Sequence, residues 1–247
     1  MKKFSILRSV HGFLGDEFLV RYKRDLSVAI NTAITAKAEE QVKQIICPRI
    51  PLWVNPDMLT ALGYVGILIS SAGFILGFSN KYFLLLIPLG LFINWFGDCF
   101  DGSIARYRNI SRPNYGYFID KIVDAIGVVT LAFGIGLSGF VRMDVIFIFT
   151  SVYLMLMFYV DLVVHIDGEV RNAFGLFGPT EIRIIGCIFT LYMSLSELSY
   201  MNIFDLIFTQ YDVFVLVLTL IMLFLLIVSV FKKGIELDAK DRSKLLK

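Results

Sequence analysis

Mostly apolar stretches of about 20 residues recur six times along the chain, at 58–78, 82–104, 118–140, 145–165, 182–200 and 212–231. At 1.5 Å per residue, about 20 apolar residues cross the hydrocarbon layer of a bilayer. The links are short: Ser79-Asn80-Lys81 joins the first two, and Val141-Arg142-Met143-Asp144 joins the third and fourth. The pattern predicts an all-α integral membrane protein, a six-transmembrane-helix bundle preceded by an N-terminal cytoplasmic or interfacial helical arm. Residues 1–57 form that amphipathic arm, 58–231 the membrane domain and 232–247 a solvated cytoplasmic tail. Within the arm, residues 16–46 mix charges with apolar positions, which suits helices on a membrane surface or a soluble helical cap. Arg8 and His11 interrupt any secretory apolar run, so no signal peptide is expected.

Composition agrees. The chain has 247 residues, 57% hydrophobic and 18% charged, against about 45–50% and about 25% for soluble domains. That excludes a disordered chain and a disulfide scaffold. Cys47, Cys99 and Cys187 have no metal-ligand spacing and read as reduced thiols.

Charge changes the picture through its distribution. With the N-terminus in the cytoplasm, six alternating spans put 21 of the 23 Lys and Arg on the cytoplasmic side, leaving Lys81 and Arg142 outside. The positive-inside rule favours that orientation, and with it cytoplasmic termini and a cytoplasmic active site.

Acidic residues inside spans cost about 2.5–3.5 kcal/mol each on insertion scales. Asp98 and Asp101 end the second span, and Asp120 and Asp124 begin the third. Spacings of three and four residues put each pair on one helical face. Two antiparallel faces would gather four carboxylates around one volume. Their mutual repulsion has three remedies: raised pKa values, ion pairs with Lys121 and Arg106, or divalent metal. Four unrelated helix-end aspartates are the alternative. Gly102, Ala105 and Gly116 leave room for close approach, and Arg106 suits a phosphate.

Together these read D-x-x-D-G-x-x-A-R, then G-x-x-x-D-x-x-x-D, across residues 98–124. This resembles the signature of the CDP-alcohol phosphotransferase (CDP-alcohol phosphatidyltransferase) family, with every signature position filled. The resemblance implies transfer of a substituted phosphate from a CDP-linked donor to an alcohol, releasing CMP, in phospholipid synthesis. It implies two divalent ions, Mg²⁺ or Mn²⁺, on Asp98, Asp101, Asp120 and Asp124, with Asp124 also the base for the attacking hydroxyl. It implies a nucleotide site around Gly102, Ala105, Arg106 and Gly116. Members also carry P-N-x-x-T before the first span. Here V-N-P-D-M-L-T keeps Thr60 and puts Asp57 where Asn is frequent. Asp57 either meets the nucleotide or caps the first helix, the cap being favoured.

The acceptor end centres on residues 165–183. Arg171 and Arg183, with Arg112, are the candidates there, because members using phosphorylated alcohols carry extra basic residues. The same stretch also resembles, loosely, members that take diacylglycerol. Glu181 could pair with Arg183, and Arg171 could be a positive-inside anchor. Asp161 and His165, four residues apart, read as an interfacial polar face rather than a metal site. Gly127, Gly134, Gly136 and Gly139 suit close helix packing. The expected donor is CDP-diacylglycerol. A CDP-choline or CDP-ethanolamine:diacylglycerol enzyme is the alternative within the class, and a divalent-cation channel or carrier the alternative outside it. Membrane lipids are expected as partners and nucleic acid is not; the resemblance implies a homodimer.

Overall fold

The computed structural model describes residues 35–167, 179–203 and 205–245. Residues 1–34 of the expected arm, and Arg171, lie outside these.

The chain enters through a short amphipathic helix, α1 (Ala36–Ile46), and a 3-10 turn, Cys47–Arg49. Val42, Ile46, Cys47 and Leu59 pack with Phe100 and Ile104 in one apolar cluster. Burial pushes the Cys47 thiol pKa above its ordinary value, so the thiol is inert. α2 (Pro56–Gly77) starts at a proline preceded by extended Asn55, and α4 (Pro113–Leu137) starts at a proline after Arg112. A proline at the first helical position loses no intrahelical hydrogen bond. Asn80 accepts from the Tyr82 amide and opens the 3-10 turn Lys81–Leu85, which runs into α3 (Leu86–Tyr107). The remaining helices are α5 (Met143–Asp167), α6 (Pro179–Leu195) and α7 (Gln210–Leu245).

α2 makes the most extensive contact in the fold, against α3, and also packs on α4. Small residues make this possible. Gly63, Gly66, Ser70, Gly73 and Gly77 are buried on α2, and Gly90 and Gly97 face them from α3. Where lipid gives no hydrophobic drive between helices, such seams supply close packing and hydrogen bonds. The Ser70 hydroxyl donates to the Ile87 carbonyl and the Ser71 hydroxyl to the Thr130 carbonyl, both at 3.1 Å. Gly134 rests on Ser71, Gly136 on Met143 and Gly127 on Ile67. Three of the four glycines on the third span are therefore used inside the protomer. Gly139, with φ +80°, makes the turn after α4.

Away from the aspartates, an antiparallel hairpin joins α6 to α7: β1 (Tyr200–Ile203) and β2 (Leu206–Thr209), with Tyr200 opposite Thr209 and Ile203 opposite Leu206. Thr209 and Asp212 form a reciprocal N-terminal cap of α7. The Asp212 amide donates to the Thr209 hydroxyl at 3.1 Å, and the Thr209 amide donates to the fully buried Asp212 carboxylate at 2.7 Å. The same carboxylate accepts from the Arg142 amide at 2.7 Å.

Four helical segments are long and apolar enough to cross a membrane: Pro56–Gly77, Lys81–Tyr107, Met143–Asp167 and Gln210–Ser243. The other two expected spans fall short for physical reasons. α4 is long but carries Asp120, Lys121 and Asp124 in its apolar face, and the apolar part of α6 is confined to Ile182–Leu195. Through the region of the expected tail, α7 continues as helix to Leu245. Lys233 on that extension bonds Asp167 at 2.8 Å, tying it to α5.

Candidate active site

α3 and α4 bring three of the four signature aspartates together. Carboxylate oxygens of Asp98, Asp120 and Asp124 lie within 4.8 Å of one another, all partly buried. Asp101 is outside that group of three. Its Oδ2 accepts from the Thr60 hydroxyl at 2.7 Å, and its Oδ1 from the Gly102 amide. Thr60 is thereby joined to the signature across the α2–α3 seam.

Asp98 has a partner that the sequence suggested for another task. The Arg183 guanidinium, from α6, donates to Asp98 Oδ2 at 2.8 Å and to Asn94 Oδ1 at 2.8 Å. Asn94 in turn donates to the Gly63 carbonyl at 3.2 Å. Arg183 is thus an orienting clamp on the aspartate cluster, which brings it to the site. Asn94 was missed. Its signal was an amide within an apolar span, one helical turn before Asp98, which demands a partner.

The glycines differ in what surrounds them. A Cβ at Gly116 would meet nothing within 4 Å, and one at Gly102 would lie 3.3 Å from the Arg106 guanidinium. Arg106 lines a cavity of about 310 Å³ between α1 and α3, with Lys43, Glu40, Gln44, Ser103 and Tyr107. Ala105 follows Gly102 on the same helix.

Arg112 does not join the aspartates. It is exposed, bonds Asp57 at 2.6 Å and stacks on Tyr115 at 4.2 Å. Its hydrogen bond to the Asp57 carboxylate raises the pKa of Arg112. Asp57 is not the cap that was favoured: Asn55 holds that position. Asp57 sits in the first turn, where a carboxylate suits the helix dipole, and its partner is Arg112. Arg171 and the Glu181 side chain lie outside the described residues. Asp161, read with His165 as an interfacial polar face, faces α4. Its Oδ1 accepts from the Tyr117 hydroxyl at 3.2 Å and pairs with Lys121 at 3.5 Å, both on α4; His165 is exposed.

The donor set is all oxygen, three converging carboxylates plus Asp101, which suits a hard divalent cation such as Mg²⁺ or Mn²⁺. Among the described residues only Asp98 of the three has an ion-pair partner. The residues therefore fit a divalent ion.

The helices and this acidic face define a helical integral membrane protein with a polar site at one end of its α3–α4 pair. Residues 53–232 match the CDP-alcohol phosphatidyltransferase family, and the chain belongs to that family. It is similar to archaetidylinositol phosphate synthase of Pyrococcus horikoshii, 30% identical over 115 residues, covering 47% of this chain and 58% of that one. It is also similar to cholinephosphotransferase 1 of Bos taurus, 34% identical over 146 residues, covering 55% of this chain and 34% of that one. The chain thus spans less than two thirds of the length of either relative.

Proposed function

We propose that this protein moves a substituted phosphate from a CDP-linked donor to an alcohol and releases CMP, in phospholipid synthesis. The preferred donor is CDP-diacylglycerol. The observation that carries this is the filled signature from Asp98 to Asp124, with three of its carboxylates converging within 4.8 Å.

Asp98, Asp101, Asp120 and Asp124 would hold two divalent ions. Such ions offset charge developing on the transferred phosphoryl group and the departing CMP. Asp124 takes the proton of the acceptor hydroxyl as the phosphorus–oxygen bond forms, and the bond to CMP breaks. Arg183 and Asn94 hold Asp98 in its orientation, and Thr60 holds Asp101. Gly102, Ala105 and Gly116 leave room for the nucleotide, with Arg106 at its edge. Arg112, Arg171 and Arg183 remain the proposed acceptor-side cations, and Thr60 a further residue of the proposed nucleotide site.

The catalytic bundle comprises residues 58–231, crossing the bilayer six times, with the termini and the site in the cytoplasm. The basic bias of 21 residues in 23 supports that sidedness. A homodimer is the proposed assembly.

A second reading comes from the relatives. One is named for a phospholipid phosphate it makes and the other for cholinephosphate transfer. In the alternative, CDP-choline or CDP-ethanolamine is the donor and diacylglycerol the acceptor. Labelled CMP release from the purified protein with each donor decides. Release from CDP-diacylglycerol that stops with EDTA and returns with Mg²⁺ or Mn²⁺ is the expected result. Release from CDP-choline or CDP-ethanolamine alone would overturn the preferred donor, and release from none would overturn the activity.

A further inference from the structure

Lys121 is the one cation within the signature's second half, between Asp120 and Asp124. Asp124 lies three residues on, within reach on the same helical face. Yet among the described residues no ion pair joins Lys121 to either aspartate. Its ammonium lies 3.5 Å from Asp161 Oδ1 on α5, with side chains about one third exposed. The Tyr117 hydroxyl donates to the same oxygen at 3.2 Å, and the Tyr117 ring lies beneath the ammonium, 5.7 Å from its centroid. Tyr117 is one turn before Lys121, so α4 presents a cation and a hydroxyl together and α5 answers with one carboxylate.

From this geometry we propose that Asp161 is a positioning residue. It holds Lys121 away from Asp120 and Asp124 and so keeps their carboxylates available to a divalent cation. The inference rests on the proposed reading that those aspartates bind metal. An ammonium three residues from Asp124 has two acceptors to choose from, Asp124 on its own helix and Asp161 across the groove. In a partly desolvated site the choice matters, because Coulomb energy rises as the effective dielectric falls. With Asp161 neutral, Lys121 swings onto Asp124 and competes with the metal for the oxygens it needs. An ammonium contact that must be broken before the metal binds at Asp124 weakens binding about tenfold for every 1.4 kcal/mol it is worth.

The test measures Mn²⁺ binding to the full-length protein in detergent, by loss of the free-Mn²⁺ electron paramagnetic resonance signal, with no donor or acceptor present. Asp161→Asn is nearly isosteric. It should weaken Mn²⁺ binding about tenfold or more. Asp161→Asn combined with Lys121→Gln should restore binding to within about threefold of wild type, because the competing ammonium is gone. A merely structural role for Asp161 would not be rescued by removing its partner. Unchanged binding in Asp161→Asn overturns the inference, as does a double variant as weak as the single one. A wild-type protein that binds no Mn²⁺ overturns the metal reading and this inference with it. Wild-type binding with an unaltered Asp161→Asn overturns the inference alone.

Discussion

Gly97 and Gly116 are both glycines beside signature aspartates, and the structure gives them opposite meanings. A Cβ at Gly97 would lie 2.7 Å from the Gly63 Cα and closer still to the Leu59 carbonyl and Gly63 amide. All three are backbone atoms, so Gly97→Ala must push α3 off α2. Such overpacking costs about 1–3 kcal/mol. The shift also stretches the Thr60–Asp101 and Asn94–Gly63 hydrogen bonds across the same seam, at about 1 kcal/mol for a neutral bond and about 1.5–3 for one to a charge. Better helix propensity returns about 1 kcal/mol. The net loss is about 2.5–6 kcal/mol, or a melting temperature lower by about 5–24 °C at about 2–4 °C per kcal/mol. Gly116→Ala meets nothing within 4 Å, so its melting temperature should hold or rise by a few degrees, Ala being about 1 kcal/mol better in a helix. If that space admits the donor, the methyl group will weaken nucleotide binding by about tenfold, or 1.4 kcal/mol. Circular dichroism melts in detergent, paired with calorimetric titration of CDP, read both quantities. A Gly116→Ala variant as unstable as Gly97→Ala, or a Gly97→Ala variant as stable as wild type, would refute the reasoning.

Three further outcomes are expected. Asp124→Asn should lower CMP release at least about a thousandfold while CDP binding stays within a few-fold by titration, and retained turnover removes Asp124 from the role of base. Arg183→Lys keeps the charge but cannot bond Asn94 and Asp98 together as the guanidinium does; kcat should fall about tenfold or more, and an unchanged kcat would show the clamp to be idle. Asp212→Ala strands the amides of Arg142 and Thr209 and should cost about 2–6 kcal/mol, at about 1–3 for each unmet donor. The melting temperature should drop while Mn²⁺ affinity is unchanged, because this cap lies away from the aspartates; a matching loss of Mn²⁺ binding would contradict that separation.

Helix positions were legible because an apolar run of 20 residues is a strong signal, and the observed helices begin and end within several residues of the expected spans, except that α7 runs on to Leu245. The hairpin was not. Its four-residue strands, Tyr-Met-Asn-Ile and Leu-Ile-Phe-Thr, are too short to show a period of two and merge with the apolar runs on both sides. Asp120 and Asp124 sharing a face was legible from their spacing along one helix, and their meeting with Asp98 from the short link between two successive, antiparallel spans. Partners across helices were not, because they depend on how each helix is rotated about its axis and how far it slides along its neighbour. The bonds from Arg183 to Asp98 and from Lys121 to Asp161 are of this kind.

The same distinction bears on how the acidic cluster is neutralised. Protonation, ion pairs with Lys121 and Arg106, and divalent metal were open from the sequence. The ion-pair remedy takes an unexpected form. Arg106 turns to the α1–α3 cavity, Lys121 is held by Asp161, and the guanidinium that reaches the cluster comes from Arg183 and serves Asp98 alone. Among the described residues neither Asp120 nor Asp124 has an ion-pair partner, though Lys121 lies beside them on the same helix. A fold selected only to soften repulsion would let Lys121 fall onto Asp124. Holding it on Asp161 instead costs the cluster its nearest counter-charge and leaves Asp120 and Asp124 open to a cation from solution. That arrangement supports a divalent ion over internal salt bridges as the group that completes the site.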